Sequence, residues 1–288
     1  MNDSLKRIVF IIISSVLIIA GGFFVLLYLN APSPPADNPV IEQPESELPE
    51  EPPEIPGGPV IMSRFVEYYE KNEDMIGWIR VPNTAINYPV VYCSDNAYYL
   101  SHDFLKEPSK AGVPFLDMGA DILKKNQSLS LYGHYLTSGK MFTSLHKYKS
   151  LAYYQEFPLF EFSTIYEDGF YKIFSVFYMA GNRTDKLFYY YPVSNFGSDE
   201  AFMKHVDEIR TRSIFNTTVD VIPGDRLLLM TCCTYETNNL RLIVAGRKIR
   251  PGESIIVDTE NATLNPTPLY PQKWYDAKGG APPLAADS

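Results

Sequence analysis

Cysteine and histidine are scarce in this chain of 288 residues, which contains three cysteines and four histidines. Cys232 and Cys233 are adjacent, and vicinal cysteines rarely pair because disulfide geometry is strained across one peptide bond. With Cys93 they do not form the evenly numbered set of a disulfide framework, and no Cys and His spacing resembles a zinc site. The cysteines are therefore either reactive thiols or small buried core residues.

A surplus of basic residues is also absent. The formal net charge is -9, and residues 31–59 hold seven acidic side chains with no Lys or Arg. The rest of the chain is close to neutral, so it lacks the basic surface that nucleic-acid binding requires. The 21 tyrosines and 17 phenylalanines favour a β-rich core with aromatic grooves.

The longest uncharged stretch runs from Ile8 to Leu29 and is dominated by Ile, Val, Leu and Phe. As a helix it would measure roughly 33 Å, enough to cross a bilayer. Lys6 and Arg7 precede it, and no basic residue follows for over thirty positions, which predicts a cytoplasmic N-terminus and an extracellular remainder. The alternative is a cleaved signal peptide. The length exceeds a usual signal core, which favours an uncleaved, single-pass anchor in the cell membrane over residues 1–30.

Composition divides the rest of the chain into three parts. Residues 31–59 contain ten prolines and predict an extended stalk, partly polyproline II, that reaches roughly 90 Å. Residues 60–250 show short apolar runs broken by Gly, Pro, Asn and Asp, and they form the predicted folded domain. Residues 251–288 lack sustained periodicity, so a loosely structured C-terminal tail is expected.

The folded part is predicted to be mostly β. The runs "GWIRV", "INYPVV", "GVPFLD", "LSLYGH", "FYKIFSVFYMA", "RLLLMTCC" and "RLIVAGRKI" are typical of strands. Helices are predicted over Ile61–Lys71 and Ser198–Arg212, the second opened by an Asp/Ser cap region. Many short strands with peripheral helices indicate a β-barrel or a β-sandwich.

One set of residues has the composition of a cysteine nucleophile site, which needs a thiolate, an acid/base partner and a group to hold negative charge. The strand "RLLLMTCC" supplies the thiol. His134 is the best partner because it ends a strand, after Gly133, which permits an unusual backbone. Arg241 opens the following strand, so strand pairing can bring it beside the thiol. The other histidines lie in polar surroundings and are expected to be exposed: His102, His146 and His205.

Taken singly, these residues also fit a protein without catalysis, with cysteine in the core and arginine on the surface. Their motifs together resemble the class B sortases, the cysteine transpeptidases of Gram-positive bacteria, over nearly all of residues 60–250. The resemblance rests on "YGH" followed by "SGKMFTSL" (Tyr132–Leu145), on "NEDMIGWIRVPNTAINYPVV" and "DNAYYLSHDF", and on "SIFNTTVDVIPGDRLLLMTC". An arginine soon after the cysteine completes the family's Cys-His-Arg set.

The chain departs from the family at the cysteine motif, which in sortases reads Thr-Leu-x-Thr-Cys. Taking Cys232 as the nucleophile keeps the preceding threonine, Thr231. Taking Cys233 loses that threonine, but the alignment with the family then runs without gaps from "GD" before the strand to "TYE" after it. It also places the nucleophile eight residues before Arg241. The second register is favoured. Because consecutive strand side chains face opposite sides, only one of the two cysteines can point at His134.

The resemblance implies an eight-stranded β-barrel with peripheral helices that cleaves a C-terminal sorting signal of secreted proteins. It would join the threonine carboxyl to an amine of the cell wall precursor, of the lipid II type, or of a pilin. His134 would be the general acid/base, Arg241 the oxyanion or substrate stabiliser, and no metal or cofactor is implied. Positions that line the family's substrate groove are matched by Asn96, Tyr132 and Thr231.

Two other functions compete with this one. The altered cysteine motif leaves open a catalytically weakened, sortase-like binding or scaffold domain outside the cytoplasm. A papain-like peptidase is disfavoured, because here the cysteine follows the histidine in the chain and lies on a strand rather than opening a helix.

Overall fold

The structure is a computed structural model, and it describes residues 59–124, 126–181, 193–233 and 240–280. Within these ranges there are ten strands: β1 (Met75–Arg80), β2 (Asn87–Val91), β3 (Phe115–Leu116), β4 (Ser128–Gly133), β5 (Leu159–Thr164), β6 (Phe170–Ala180), β7 (Phe215–Asn216), β8 (Leu227–Cys233), β9 (Leu240–Lys248) and β10 (Thr263–Leu264). Eight of them close into a barrel in the order β1-β2-β3-β4-β8-β9-β6-β5, and β7 pairs with β10 separately. The closed barrel confirms the predicted mostly β fold with eight barrel strands.

The helices lie around the barrel: α1 (Ser63–Lys71), α2 (Leu151–Glu156), α3 (Asp199–Arg212) and α4 (Gln272–Lys278), with 3₁₀ helices at Tyr98–Leu100 and Phe142–Lys149. Both predicted helices are present. The Ser198 hydroxyl accepts a hydrogen bond from the Ala201 N–H at 3.2 Å, which is the N-cap that the sequence predicts for α3. Acidic residues in the first turn and basic ones in the last complement the helix dipole.

Strand β8 is buried on both faces. Leu228 and Met230 point into the barrel interior, where they pack with residues such as Leu131 and Val244. Leu227 and Leu229 point outwards, and α3 covers that side of the barrel through Phe202, Val206 and Ile209. Burial on both faces explains why this strand reads as an unbroken apolar run rather than an alternating one.

Two structured segments are absent from the sequence prediction. Strand β5, "LFEFST", pairs with both β1 and β6, and its half-buried Glu161 forms an ion pair at 2.8 Å with Arg80 of β1. The second segment is the 3₁₀ helix Phe142–Lys149 followed by α2, which fixes Tyr148 and Tyr154 in the core. These helices are short, and their tyrosines suit strands as well as helices, so periodicity alone does not identify them.

Residues 251–280, part of the expected loose tail, are more ordered than the sequence predicts. Strand β10 pairs with β7, and Ala262 is buried in the main core. Near α4, Tyr270 stacks on Trp274 with ring centroids 4.0 Å apart. The pairing of β10 with β7 and the burial of Ala262 join distant parts of the chain, so they leave no local periodic signal.

The predicted membrane helix and the stalk lie outside the described residues. Among the residues that the structure does describe, no helix is both long enough and apolar enough to span a bilayer.

A buried ionic cluster lies at the end of β9. Arg247 is 0% exposed, and its guanidinium contacts Glu253 at 2.7 Å and Asp220 at 3.2 Å. Lys172 of β6 binds the same Glu253 carboxylate at 2.7 Å. The hydrogen bonds from Arg247, with help from Lys172, hold the pKa of Glu253 well below its usual value although burial opposes the shift.

We expect Glu253→Gln to lower the free energy of unfolding by about 2 kcal/mol at pH 7, because it leaves the buried Arg247 charge incompletely compensated. Glu253 has a lower pKa in the folded than in the unfolded chain, so its stabilisation is fully present above about pH 4.3 and is lost progressively as the pH falls from there towards the folded pKa. Urea denaturation should therefore show the difference from wild type shrinking as the pH falls below about 4. Glu260→Gln, the same change at an exposed residue, is the control, and equal effects at neutral pH would contradict the prediction.

Candidate active site

The catalytic candidates meet where β8 lies between β4 and β9. Strand β8 is parallel to β4, with Gly133 opposite Cys232, and antiparallel to β9, with Cys233 opposite Arg241. His134 directly follows Gly133, so it leaves β4 at the end where β8 finishes and β9 begins. Residues about a hundred positions apart in the chain are thereby brought to one end of three adjacent strands.

The two adjacent cysteines have different surroundings. Cys232 is 0% exposed and packs in the barrel interior, whereas Cys233 is half-buried on the other face of β8. Burial raises the pKa of the Cys232 thiol well above its usual value, the neighbouring Cys233 adds to the rise, and the charge of Arg241 opposes it. A thiol held protonated in an apolar core is a poor nucleophile, so the geometry favours Cys233.

The ring of His134 is oriented by a backbone carbonyl. Its Nε2 lies 2.7 Å from the oxygen of Leu100, the last residue of the first 3₁₀ helix. Since a carbonyl only accepts, Nε2 carries the proton, and Nδ1 of the neutral ring is left as the acceptor. Gly112, at φ +62°, makes room beside the ring, because a Cβ there would lie 3.3 Å from His134 Cδ2 and 2.5 Å from the Tyr99 oxygen.

Gly133 is needed for space rather than for the unusual backbone that the sequence suggested. It is not among the glycines with positive φ. A Cβ at this position would lie 2.5 Å from Cγ of Phe142, in the 3₁₀ helix that packs under the end of β4. The glycine thus lets that helix approach the strand from which His134 emerges.

His146 is not exposed as predicted, and it touches the site. It is half-buried in the 3₁₀ helix Phe142–Lys149, and its Nε2 donates to the Cys233 carbonyl oxygen at 3.1 Å. Its ring also meets Tyr135 edge-on, with centroids 5.0 Å apart. The apolar spacing of Leu145 and Tyr148 around it was the available signal that this segment packs inwards.

The two remaining histidines are half-buried against aromatic rings instead of fully exposed. His102 stacks on Tyr98 with ring centroids 4.1 Å apart. His205 of α3 packs against Phe196 at 4.9 Å, and burial lowers the pKa of its imidazole.

The three groove candidates are brought together, although not equally open. Tyr132 and Thr231 are neighbours across β4 and β8, but Thr231 is only 5% exposed. Asn96 and Tyr132 both donate hydrogen bonds at 2.9 Å to one carboxylate oxygen of Asp117, a residue that sequence reasoning missed. Asp117 ends the run "GVPFLD", where a final acidic residue is ordinarily taken as a turn signal.

The described residues also form a cleft that does not include the site. It measures about 420 Å³ and lies between α1 and the segment after β3. Tyr69, Tyr92 and Tyr166 line it together with Asp121 and Lys124. Neither Cys233, His134 nor Arg241 contributes to this cleft.

Comparison with known proteins gives one consistent family. No protein-family model matches the chain. Sortase B of Staphylococcus aureus is 27% identical over 192 residues, which cover 66% of this chain and 76% of the relative. Sortase B of Listeria monocytogenes is 27% identical over 180 residues, covering 62% and 71%. A Bacillus anthracis crystal structure described as similar to sortase B is 29% identical with a TM-score of 0.61, covering 70% of this chain and 89% of that one.

These curated relatives and solved structures together support a class B sortase. They support with it a sortase transpeptidase enzyme. A Staphylococcus aureus sortase B solved as a substrate complex matches with 26% identity and a TM-score of 0.60, over 66% of this chain and 86% of that one.

We expect only Cys233 to react rapidly with a small alkylating reagent, because Cys232 is buried and kept protonated. In a Cys93→Ser background, which removes the other half-buried thiol, iodoacetamide labelling followed by mass spectrometry measures the rate. Cys233→Ala should lose the fast labelling and Cys232→Ala should keep it. The opposite pattern would show that Cys232 is the reactive thiol.

We expect His146→Phe to destabilise the protein by about 1 kcal/mol, because the Cys233 carbonyl loses its donor while the ring volume is kept. His146→Gln retains an N–H donor and should lie closer to wild type. Urea denaturation measures the stability, and the labelling rate of Cys233 reports any shift of the strand end. Equal destabilisation by the two substitutions would mean that packing, not the hydrogen bond, is what His146 supplies.

Proposed function

We propose that this chain is a membrane-anchored cysteine transpeptidase that cleaves a C-terminal sorting signal of secreted proteins. It then joins the threonine carboxyl to an amine of a cell wall precursor. The observation that carries the proposal is the pairing of Cys233 with Arg241 on adjacent strands, with His134 leaving the strand on the other side.

In the first half-reaction Nδ1 of His134 takes the proton of the Cys233 thiol, and the resulting thiolate attacks the threonine carbonyl carbon and forms a C–S bond. The oxyanion that develops is stabilised by the Arg241 guanidinium, a planar donor with several N–H groups. His134 gives a proton to the leaving amine as the peptide C–N bond breaks, which leaves a thioester on the enzyme. Because Leu100 occupies Nε2, the proton is handled at Nδ1.

In the second half-reaction the acceptor amine attacks the thioester carbon. His134 accepts the proton that the amine loses, a new C–N bond forms, and the C–S bond breaks to regenerate the Cys233 thiolate. Ligands of both kinds occur in solved relatives, since a Staphylococcus aureus sortase B has been crystallised with substrate and a sortase B with triglycine, which carries a free amine. A cell wall precursor of the lipid II type is the proposed acceptor here, and a pilin amine is the alternative.

The membrane location of the chain is part of the same proposal, and it rests on the amino-acid composition of residues 1–59. Residues 1–30 would be the cytoplasmic stub and membrane anchor, with the catalytic domain, residues 60–250, held outside the cell by the stalk of residues 31–59. The packing of β10 and α4 supports a functional unit that extends to about residue 280. Treatment of intact cells with a protease tests the orientation. The barrel should be cleaved, and the N-terminus should be protected.

The competing function is a weakened sortase-like scaffold, which the missing threonine before Cys233 favours. Cys232 stands in that place, and it is a small residue filling the barrel interior. The position faces away from Cys233, so its substitution removes no group from the candidate site. This observation favours the enzyme over the scaffold.

A soluble form that spans residues 59–280 should convert sorting peptides from a C-terminally diverse library into hydroxamates when hydroxylamine is the acceptor, read by mass spectrometry. Cys233→Ala should form none. Arg241→Lys should lower turnover by at least about tenfold, roughly 1.4 kcal/mol, because an ammonium cannot reproduce the planar fork of a guanidinium. Its melting temperature should stay near wild type.

Arg226→Lys is the matched control, because Arg226 precedes β8 and pairs with Glu167 near the protein surface. It should leave turnover unchanged. If Arg241→Lys turns over as fast as this control, Arg241 has no part in the reaction. A wild-type protein with a reactive Cys233 but no product from any peptide would instead support the scaffold.

A further inference from the structure

The carboxylate of Asp117 is buried and fully engaged. Asp117 follows β3 and is only 6% exposed. Its Oδ2 accepts hydrogen bonds from the Tyr132 hydroxyl and from Asn96 Nδ2, each at 2.9 Å, and its Oδ1 accepts from the Gly119 N–H at 2.9 Å. One carboxylate therefore joins β4, the loop after β2 and the loop after β3.

We propose that Asp117 is a positioning residue for substrate, which acts by fixing the directions in which Tyr132 and Asn96 present their polar atoms. The inference deepens the proposed function and rests on it. Asp117 does not touch the reacting atoms in this scheme. It acts through two side chains that lie beside the nucleophile strand.

The chemistry of a carboxylate accounts for the directions. An ionised carboxylate only accepts, so the Tyr132 hydroxyl donates its proton to Asp117, and the direction of its O–H bond is thereby fixed. Asn96 is held at both ends, because its Oδ1 also accepts from the Met118 N–H at 2.8 Å. Its amide orientation is thereby assigned, and the remaining Nδ2 proton points away from Asp117 as a donor.

No neutral residue reproduces this arrangement. An asparagine at position 117 offers one accepting oxygen and one donating NH₂ group. Whichever way it is turned, a donor then faces either Gly119 N–H or the pair formed by Tyr132 and Asn96. Since buried donors that face each other lose their hydrogen bonds, Asp117→Asn breaks either the bonds to Tyr132 and Asn96 or the turn at Gly119 that holds the accepting oxygen in place.

The loop itself supplies a matched control. Asp121 makes the same local turn as Asp117, accepting from the backbone N–H two residues ahead, Leu123, at 2.9 Å. Its other oxygen pairs with Lys124 at 3.3 Å, so its carboxylate is engaged by its own loop rather than by the groove residues. Asp121→Asn therefore makes the same chemical change in the same loop without touching Tyr132 or Asn96.

The test is steady-state transpeptidation of a sorting peptide to hydroxylamine by wild type, Asp117→Asn, Asp121→Asn, Tyr132→Phe and the Asp117→Asn/Tyr132→Phe double variant. We expect Asp117→Asn to raise the KM of the peptide about tenfold, while the iodoacetamide labelling rate of Cys233 stays within about twofold of wild type. Asp121→Asn should change neither. Because Asp117 acts partly through Tyr132, the double variant should be impaired much less than the product of the two single effects.

A KM that is unchanged in Asp117→Asn, or raised equally in Asp121→Asn, overturns the positioning role while leaving the proposed function intact. If the effects of Asp117→Asn and Tyr132→Phe multiply in the double variant, Asp117 does not act through Tyr132. If Asp117→Asn melts too low to assay, Asp117→Glu keeps the charge but displaces the oxygens, and the same KM criterion applies. A wild-type protein that yields no hydroxamate refutes the proposed function and the positioning role with it.

Discussion

The backbone pairing of β8 with β4 on one side and β9 on the other is the constraint on which the candidate site depends. Hydrogen-bonded ladders set the register of neighbouring strands, and a shift by one residue would turn every side chain to the other face. In the observed register Cys233 lies opposite Arg241, and Gly133 lies opposite Cys232. The strand pairing therefore brings the thiol, the guanidinium and the His134 ring to one end of three adjacent strands.

The same register assigns different environments to two identical side chains. Alternation along β8 sends Cys232 into the closed barrel, where apolar packing keeps its thiol protonated. Cys233 faces the other way and is half-buried. Cys232 therefore serves as a small buried residue of the core.

Polar contacts from surrounding loops orient the side chains that the pairing of β4, β8 and β9 brings together. The Leu100 carbonyl selects the tautomer of His134, His146 caps the carbonyl of Cys233, and Asp117 gathers Tyr132 and Asn96. At the opposite end, the ions around Arg247 tie β9 to the segment that follows it. Such orienting groups matter because side chains displaced by even about 1 Å lose much of their effect on a reaction.

The sequence by itself determined the elements with strong periodicity or unbroken apolar runs, such as α3, β6 and β8, and the motifs that identify the family around His134 and Cys233. Local pattern carries this information because each segment buries its own apolar side chains. Tertiary structure alone decided which cysteine faces outwards, that Gly133 makes room for Phe142, and that His146 and Asp117 join the site. Those contacts depend on which segments meet in three dimensions, and some use backbone groups that any sequence supplies, such as the Cys233 carbonyl.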